Sequence, residues 1–229
     1  MNKNIEIRTT KDGSKTIYLP DFDENYHSFH GAIQEANHVF IKNGLDFLMH
    51  RDSISIFEMG FGTGLNAFLS YLRSKDSNQV IQYVGLEAYP LDKHIYSEMA
   101  YSRQLGLVSE QFYFDLMDAK WGQFIDVSEN FQLLKIKSSI EEWESDQKFD
   151  LIYFDAFGPR VQTEMWNLEI MVKMFKLLKT NGVLVTYCAQ GQFKRNLKEA
   201  GFEVNSLPGP PGKREMTRAI KINKNFTTN

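Results

Sequence analysis

The chain has little of what would place it outside ordinary globular proteins. One cysteine, Cys188, stands among 229 residues, so no internal disulfide can form and a reducing compartment is expected. No apolar run approaches the ~18 residues of a membrane span. The N-terminal stretch Met1–Thr10 is polar and lacks the apolar core of a signal peptide, which gives a cytoplasmic expectation. Proline is sparse, six in all, and three of them fall at Pro208, Pro210 and Pro211. Net charge is only −3, which argues against a broadly basic nucleic-acid surface but leaves room for a local patch. The basic residues do group, at Lys173/Lys176/Lys179, Lys194/Arg195/Lys198 and Lys213/Arg214/Arg218; solvated helix faces explain the first two groups equally simply.

What is present is a hydrophobic fraction of 42%, rich in phenylalanine, enough for one sizeable core. Asp12-Gly13 between Ile5–Thr9 and Lys15–Leu19 reads as a hairpin. A helix is expected over Phe29–Lys42, with Gly44 as its C-cap. Strands and helices then alternate. Strands are expected at Ile54–Phe57, Val80–Leu86, Phe131–Ile136, Phe149–Phe154 and Val183–Tyr187. Helices are expected at Leu65–Leu72, Leu91–Leu105, Ile140–Trp143, Glu164–Leu178 and Gln192–Ala200. Phe202–Leu207 and Met216–Ile222 would pair antiparallel. The pattern implies βαβ units: an α/β, Rossmann-like fold with a mostly parallel sheet, helices on both faces and a C-terminal antiparallel hairpin. Residues 1–50 would form an N-terminal hairpin-and-helix extension packed on a single globular unit, 51–229. A ligand crevice belongs at the carboxyl ends of the parallel strands.

Glu58-Met59-Gly60-Phe61-Gly62-Thr63-Gly64 lies directly between a strand and a helix. Alternating glycines let the backbone turn tightly and let a ligand lie against it. The spacing is G-x-G-x-G rather than the dinucleotide G-x-G-x-x-G, which favours S-adenosylmethionine, a cofactor without phosphates, over NAD. Glu58 would suit a cationic amino group. Glu87, ending a strand, would accept ribose hydroxyls, a geometry that serves both cofactors. A bare strand-to-helix turn and a surface glutamate are the plain alternatives.

Asp155, in Asp155-Ala156-Phe157-Gly158-Pro159, follows an apolar strand and would face the crevice, with Phe157 exposed by the turn. The segment resembles the Asp-Pro-Pro-Tyr loop of amino-group methyltransferases; a turn-capping aspartate is the alternative. An alkylamine with a pKa near ~10.4 is neutral in only about one molecule in a thousand at pH 7, a deficit of roughly 4 kcal/mol. A carboxylate such as Asp155 would accept that proton or orient the amine lone pair; one that merely pairs with the ammonium would hinder the reaction.

Taken together, these segments resemble the methyltransferase domain of the MnmC family of tRNA wobble-uridine modification proteins and its stand-alone counterpart, MnmD. The likeness covers about Phe22–Ala219. It rests on Tyr26-His27-Ser28 with Gly31 and Glu35, on EMGFGTGLN (Glu58–Asn66), on Glu87-Ala88-Tyr89-Pro90-Leu91, on Asp155–Pro159 with Met165-Trp166, and on Pro208–Arg218. The resemblance implies methylation of the primary amine of 5-aminomethyl(-2-thio)uridine at the tRNA wobble position. Glu58, Gly60, Phe61, Gly62, Thr63, Gly64, Asn66, Glu87 and Ser139 would bind S-adenosylmethionine, and Asp155 would be catalytic. Tyr26, His27, Ser28, Glu35, Phe157, Pro159, Lys213 and Arg214 would bind substrate, and no metal is implied. Phe157 or Tyr26 would stack on a base splayed from the anticodon loop, Lys213 and Arg214 would hold a phosphate or gate the site, and affinity would fall with salt. Two departures stand out. Ser138-Ser139 replaces a Gly-Asp turn near the adenine. The flavin-dependent oxidase domain of the bifunctional proteins has no counterpart before Asn229, so FAD is not expected. A small-molecule methyltransferase, an aminopropyl transferase of the spermidine-synthase kind and a non-catalytic tRNA-binding module are the competing readings.

Overall fold

The computed structural model describes residues 4–77 and 79–223. Residues 1–3, which open the polar N-terminal stretch, and the chain end at Asn229 lie outside them. Among the described residues, eleven strands form two sheets. β1 (Glu6–Thr9), β2 (Lys15–Leu19) and β3 (Glu24–Asn25) make a small antiparallel sheet, with Thr9 opposite Lys15 across the expected hairpin. The large sheet contains β4 (Ser53–Met59), β5 (Val80–Glu87), β6 (Phe124–Ser128), β7 (Phe131–Lys137), β8 (Phe149–Phe154), β9 (Leu178–Thr186), β10 (Glu203–Pro208) and β11 (Glu215–Ile220). Its order is β10-β11-β9-β8-β4-β5-β7-β6. The five strands from β9 to β7 are parallel, while β6, β10 and β11 pair antiparallel. This is the expected Rossmann-like architecture, a mostly parallel sheet with a C-terminal antiparallel hairpin.

The parallel strands are buried on both faces, as parallel strands flanked by helices must be. Ile54 and Ile56 of β4, and Leu151 and Tyr153 of β8, enter one core; Phe57, Met59, Ile152 and Phe154 alternate into the other. The helices are α1 (Ala32–Ala36), α2 (Leu65–Ser77), α3 (Lys93–Tyr96), α4 (Tyr101–Gln104), α5 (Gln111–Met117), α6 (Leu168–Leu177) and α7 (Gly191–Glu199). Among the described residues no helix is long and apolar enough to cross a membrane. From β4 the chain runs outward through β5 and β7 on one side, then returns to β8 and β9 on the other. The order therefore reverses between β4 and β8, and the crevice opens there.

Several expected elements differ. The helix of Phe29–Lys42 is a short α1 that continues as a π-helix over Asn37–Leu45, with Gly44 inside it. Gly44 serves close packing rather than a cap: a Cβ there would stand 3.0 Å from Val185 Cγ2. The helix of Leu91–Leu105 breaks into α3 and α4 around Ala100, whose φ is 50°. On one straight helix Tyr96 and Tyr101 would point about 140° apart; the break lets both be buried. The Ile140–Trp143 helix is a single turn closed by the Trp143 N–H on the Ser139 carbonyl. β9 starts at Leu178, opposite Phe149, and passes Asn181-Gly182 in a register shift, whereas the sequence reading ended a helix at Leu178 and began the strand at Val183. α5 and β6 had no counterpart in the sequence reading, although Tyr113, Leu116 and Met117 do fall at helical spacing.

Candidate active site

The two key loops leave neighbouring strands. Met59 of β4 lies opposite Phe154 of β8, and the Asp155 N–H donates to the Met59 carbonyl at 3.0 Å. Gly60, Gly62 and Gly64 take φ of 91°, 49° and 71°, the left-handed region that favours glycine. The N–H groups of Gly60 and Phe61 both donate to the Leu86 carbonyl at 3.0 Å, which folds the loop back on β5. Glu87 accepts the Gly62 N–H at 2.9 Å with one carboxylate oxygen and the Tyr89 N–H at 2.9 Å with the other. Phe61 and Thr63 turn inward. Phe61 is buried against Gly85, where a Cβ would find no room. Thr63 receives the Tyr101 hydroxyl on Oγ1 and the Tyr113 hydroxyl on its carbonyl. These two side chains brace the loop; only their backbone faces remain for a ligand.

Asn66, in the first turn of α2, links two carboxylates. Its Nδ2 donates to Glu58 Oε1 at 2.9 Å and to Asp155 Oδ2 at 2.8 Å. Burial pushes the Glu58 carboxyl well above its ordinary range, and the nearby Asp155 adds to the shift. Burial raises Asp155 to about 7, helped by Glu35 and opposed by Asn66 and Lys213. Glu58, expected to suit a cationic amino group, is 1% exposed. Asn66 Oδ1 is buried without a hydrogen-bond partner.

Beside Asp155 opens a cavity of about 220 Å³. Tyr26, His27, Ser28, Glu35, Phe157 and Lys213 line it, as the sequence grouped them, although they come from four separate segments. Tyr26 packs edge-on against Phe157, with ring centres 5.0 Å apart, and lies over Gly62. His27 Nδ1 is 3.3 Å from Thr16 Oγ1, and burial lowers the imidazole to about 4, so it is neutral at pH 7. Glu35 accepts the Ser28 N–H at 2.7 Å and pairs with Lys213. Two expected residues stand apart. Pro159 is outside the cavity lining and accepts the Thr163 hydroxyl through its carbonyl. The Arg214 side chain is exposed, while its carbonyl closes the Gly209 turn. Ser139 sits beyond β7, next to the Ser138 N–H that donates to the Glu87 carbonyl. Tyr187, Phe40, Glu24, Asn25 and Phe29 also line the cavity. Tyr187 was detectable, since it ends an expected parallel strand; its hydroxyl donates to the Ala156 carbonyl at 2.7 Å.

Residues 123–222 match the family described as S-adenosyl-L-methionine-dependent methyltransferase. The chain is 31% identical over 218 residues to the tRNA 5-methylaminomethyl-2-thiouridine biosynthesis bifunctional protein MnmC of Cupriavidus metallidurans, covering 89% of this chain and 32% of that one. It is 29% identical over 211 residues to the MnmC of Leptospira interrogans, covering 85% and 32%. The chain is thus similar to S-adenosyl-L-methionine-dependent methyltransferases over residues 123–222 and to MnmC proteins over most of its length. It spans about a third of the length of these relatives. Among solved structures, MNMC2 from Aquifex aeolicus superposes with a TM-score of 0.74 at 24% identity, covering 95% of this chain and 70% of that chain. Spermidine synthase from Thermotoga maritima gives 0.57 at 14%, covering 95% and 69%. Both show the shared fold.

The family's cofactor, S-adenosyl-L-methionine, suits the donor set present here. The glycine loop packs closely on the site's own residues: a Cβ on Gly60 would lie 2.5 Å from the Asp155 carbonyl oxygen, and one on Gly62 would lie 3.3 Å from the Tyr26 ring. Glu87 brings a carboxylate to the loop's edge, and Asn66 Oδ1 is a buried acceptor left over. Acceptors and a carboxylate match a cationic ligand without phosphates.

Proposed function

We propose that this chain methylates the primary amine of 5-aminomethyl(-2-thio)uridine at the wobble position of tRNA, giving the 5-methylaminomethyl form. The observation that carries the reading is the contact between the glycine loop and Asp155, at the floor of a cavity with aromatic walls. At about 220 Å³ the cavity is smaller than the roughly 300–1,000 Å³ of pockets that enclose drug-sized ligands, and it suits one extruded planar base. The names of the relatives, which specify tRNA 5-methylaminomethyl-2-thiouridine biosynthesis, point the same way.

The bound cofactor supplies an electrophilic methyl on a sulfonium. Gly60, Gly62 and Gly64 let it lie against the backbone, with Glu87 and the Ser138-Ser139 turn on its adenosine side. Phe157 or Tyr26 offers the aromatic face on which the base would stack. Asp155, near neutral pH half ionised, takes the proton that the amine must lose, and Asn66 fixes the carboxylate's orientation. Methyl transfer then depends chiefly on alignment of nitrogen, methyl and sulfur. The wobble base lies in a single-stranded loop, so extrusion breaks no helix. The decisive experiment incubates tRNA from a strain lacking this methylation with enzyme and methyl-labelled cofactor, then digests it for nucleoside mass spectrometry. Label in 5-methylaminomethyl(-2-thio)uridine is expected; aminomethyluridine left unlabelled would reject the proposal.

A further inference from the structure

Glu35 on α1 and Lys213 in the β10–β11 loop form an ion pair in the wall of the cavity that holds Asp155. Glu35 is 6% exposed, and its second oxygen is taken by the Ser28 N–H. The Lys213 ammonium also lies 3.9 Å from the centre of the Tyr187 ring. A buried carboxylate and an aromatic face are the two devices that hold an ammonium ion. Here both are already engaged by the protein's own cation.

That matters because an ammonium has no lone pair. A substrate amine bound to a bare Glu35 would be held in its unreactive form. The charged and titratable groups facing this space come from several elements. Glu24 of β3 pairs with Arg160 at 3.2 Å. His27 is neutral. Tyr26 and Tyr187 are phenols whose pKa burial raises further. Cys188 follows Tyr187, and burial raises its thiol too. Glu58 lies behind Asn66. Among the described residues, Asp155 is the cavity-lining carboxylate with no cationic partner.

We infer that Lys213, pinned by Glu35, is a positioning residue that stops the cavity from trapping the substrate amine as a cation, so that its proton passes to Asp155. This rests on the amine-methylating reading above. In the step, one N–H proton of the substrate ammonium moves to the Asp155 carboxylate, and the N–H electron pair stays on nitrogen as a lone pair. That pair forms the new N–C bond while the C–S pair remains on sulfur. The products are a secondary ammonium, a thioether and a protonated Asp155.

The test is single-turnover methylation of aminomethyluridine-containing tRNA at saturating cofactor, from pH 6 to 10. It compares wild type, Lys213→Met, Lys213→Arg, Glu35→Gln and the Lys213→Met/Glu35→Gln double variant. The readout is the upper pH step, where the rate climbs as the bound amine ionises. Lys213→Met should move it up by about one pH unit or more, and Glu35→Gln should move it down. The double variant and Lys213→Arg should return it close to wild type. Merely structural damage would lower the rates without moving the step in opposite directions, and that result overturns the inference. A wild-type enzyme that leaves aminomethyluridine unmethylated would sink the proposed function itself; an active wild type with unmoved steps sinks only the role of Lys213.

Discussion

Gly60 and Asp155 touch: a Cβ on the glycine would lie 2.5 Å from the aspartate's carbonyl oxygen. The glycine loop and Asp155 are therefore one mechanical unit, built on the adjacent ends of β4 and β8. Gly60→Ala adds both that clash and a side chain at φ 91°. A stability loss of about 1–3 kcal/mol is expected from the backbone strain, more if Asp155 must shift. Cofactor affinity should fall with it, read by calorimetry and thermal melting. Unchanged binding would remove the loop from the cofactor site.

Asn66 holds the Asp155 carboxyl down against the burial that raises it to about 7. Asn66→Leu removes that hydrogen bond, so the Asp155 pKa should rise. The lower step of the rate–pH profile, near pH 7 in wild type, should move to higher pH, with the rate at pH 7 falling several-fold. Kinetics across pH 6–9 check this; a step that stays in place would mean that Asp155 is not the proton acceptor.

Asp155 also has a consequence for stability. Its folded pKa lies above the unfolded value near ~3.9, so the folded chain binds the proton more tightly. Its contribution is most favourable at acid pH and is lost as pH rises from about 4 to about 7. Asp155→Asn should abolish methylation, keep cofactor affinity, and be more stable than wild type at pH 8 by on the order of 1–4 kcal/mol. Denaturant unfolding at pH 5 and pH 8 measures the difference; an equal gap at both pH values would refute the burial argument.

At the opposite end of β8, Asp150 accepts from Arg51 at 2.6 Å, Lys179 at 2.8 Å and the Ser55 hydroxyl at 2.7 Å. Burial pushes its carboxyl up, but the hydrogen bonds from Lys179 and Ser55 more than offset this, and the pKa ends below the ordinary value. Its stabilisation is present above the unfolded pKa and lost as pH falls below it. Asp150→Ala should cost about 1–3 kcal/mol, since Ser55 loses its buried acceptor while Arg51 and Lys179 stay partly solvated. The single-turnover rate of the folded fraction should not change, since the site lies at the other end of the sheet. A specific rate defect would show coupling along β8.

The sequence by itself determined the βαβ order, the glycine loop's place after a strand, and Asp155 at the end of another. Those follow from local periodicity and from glycine's freedom at positive φ, both legible in one dimension. It did not show the break at Ala100, the π-helix through Gly44, or the outer elements α5 and β6. At Gly44, close packing against the distant residues Val185 and Tyr153 leaves no room for a side chain. The sequence grouped Glu35 with Lys213 as substrate residues, yet only the fold pairs them, across 178 positions. Only the fold buries Glu58 beneath Asn66, turns Phe61 and Thr63 inward, and leaves Pro159 and Arg214 outside the cavity. Which way a side chain points at a crevice depends on neighbours from other segments, and burial, not residue type, sets where its proton binds.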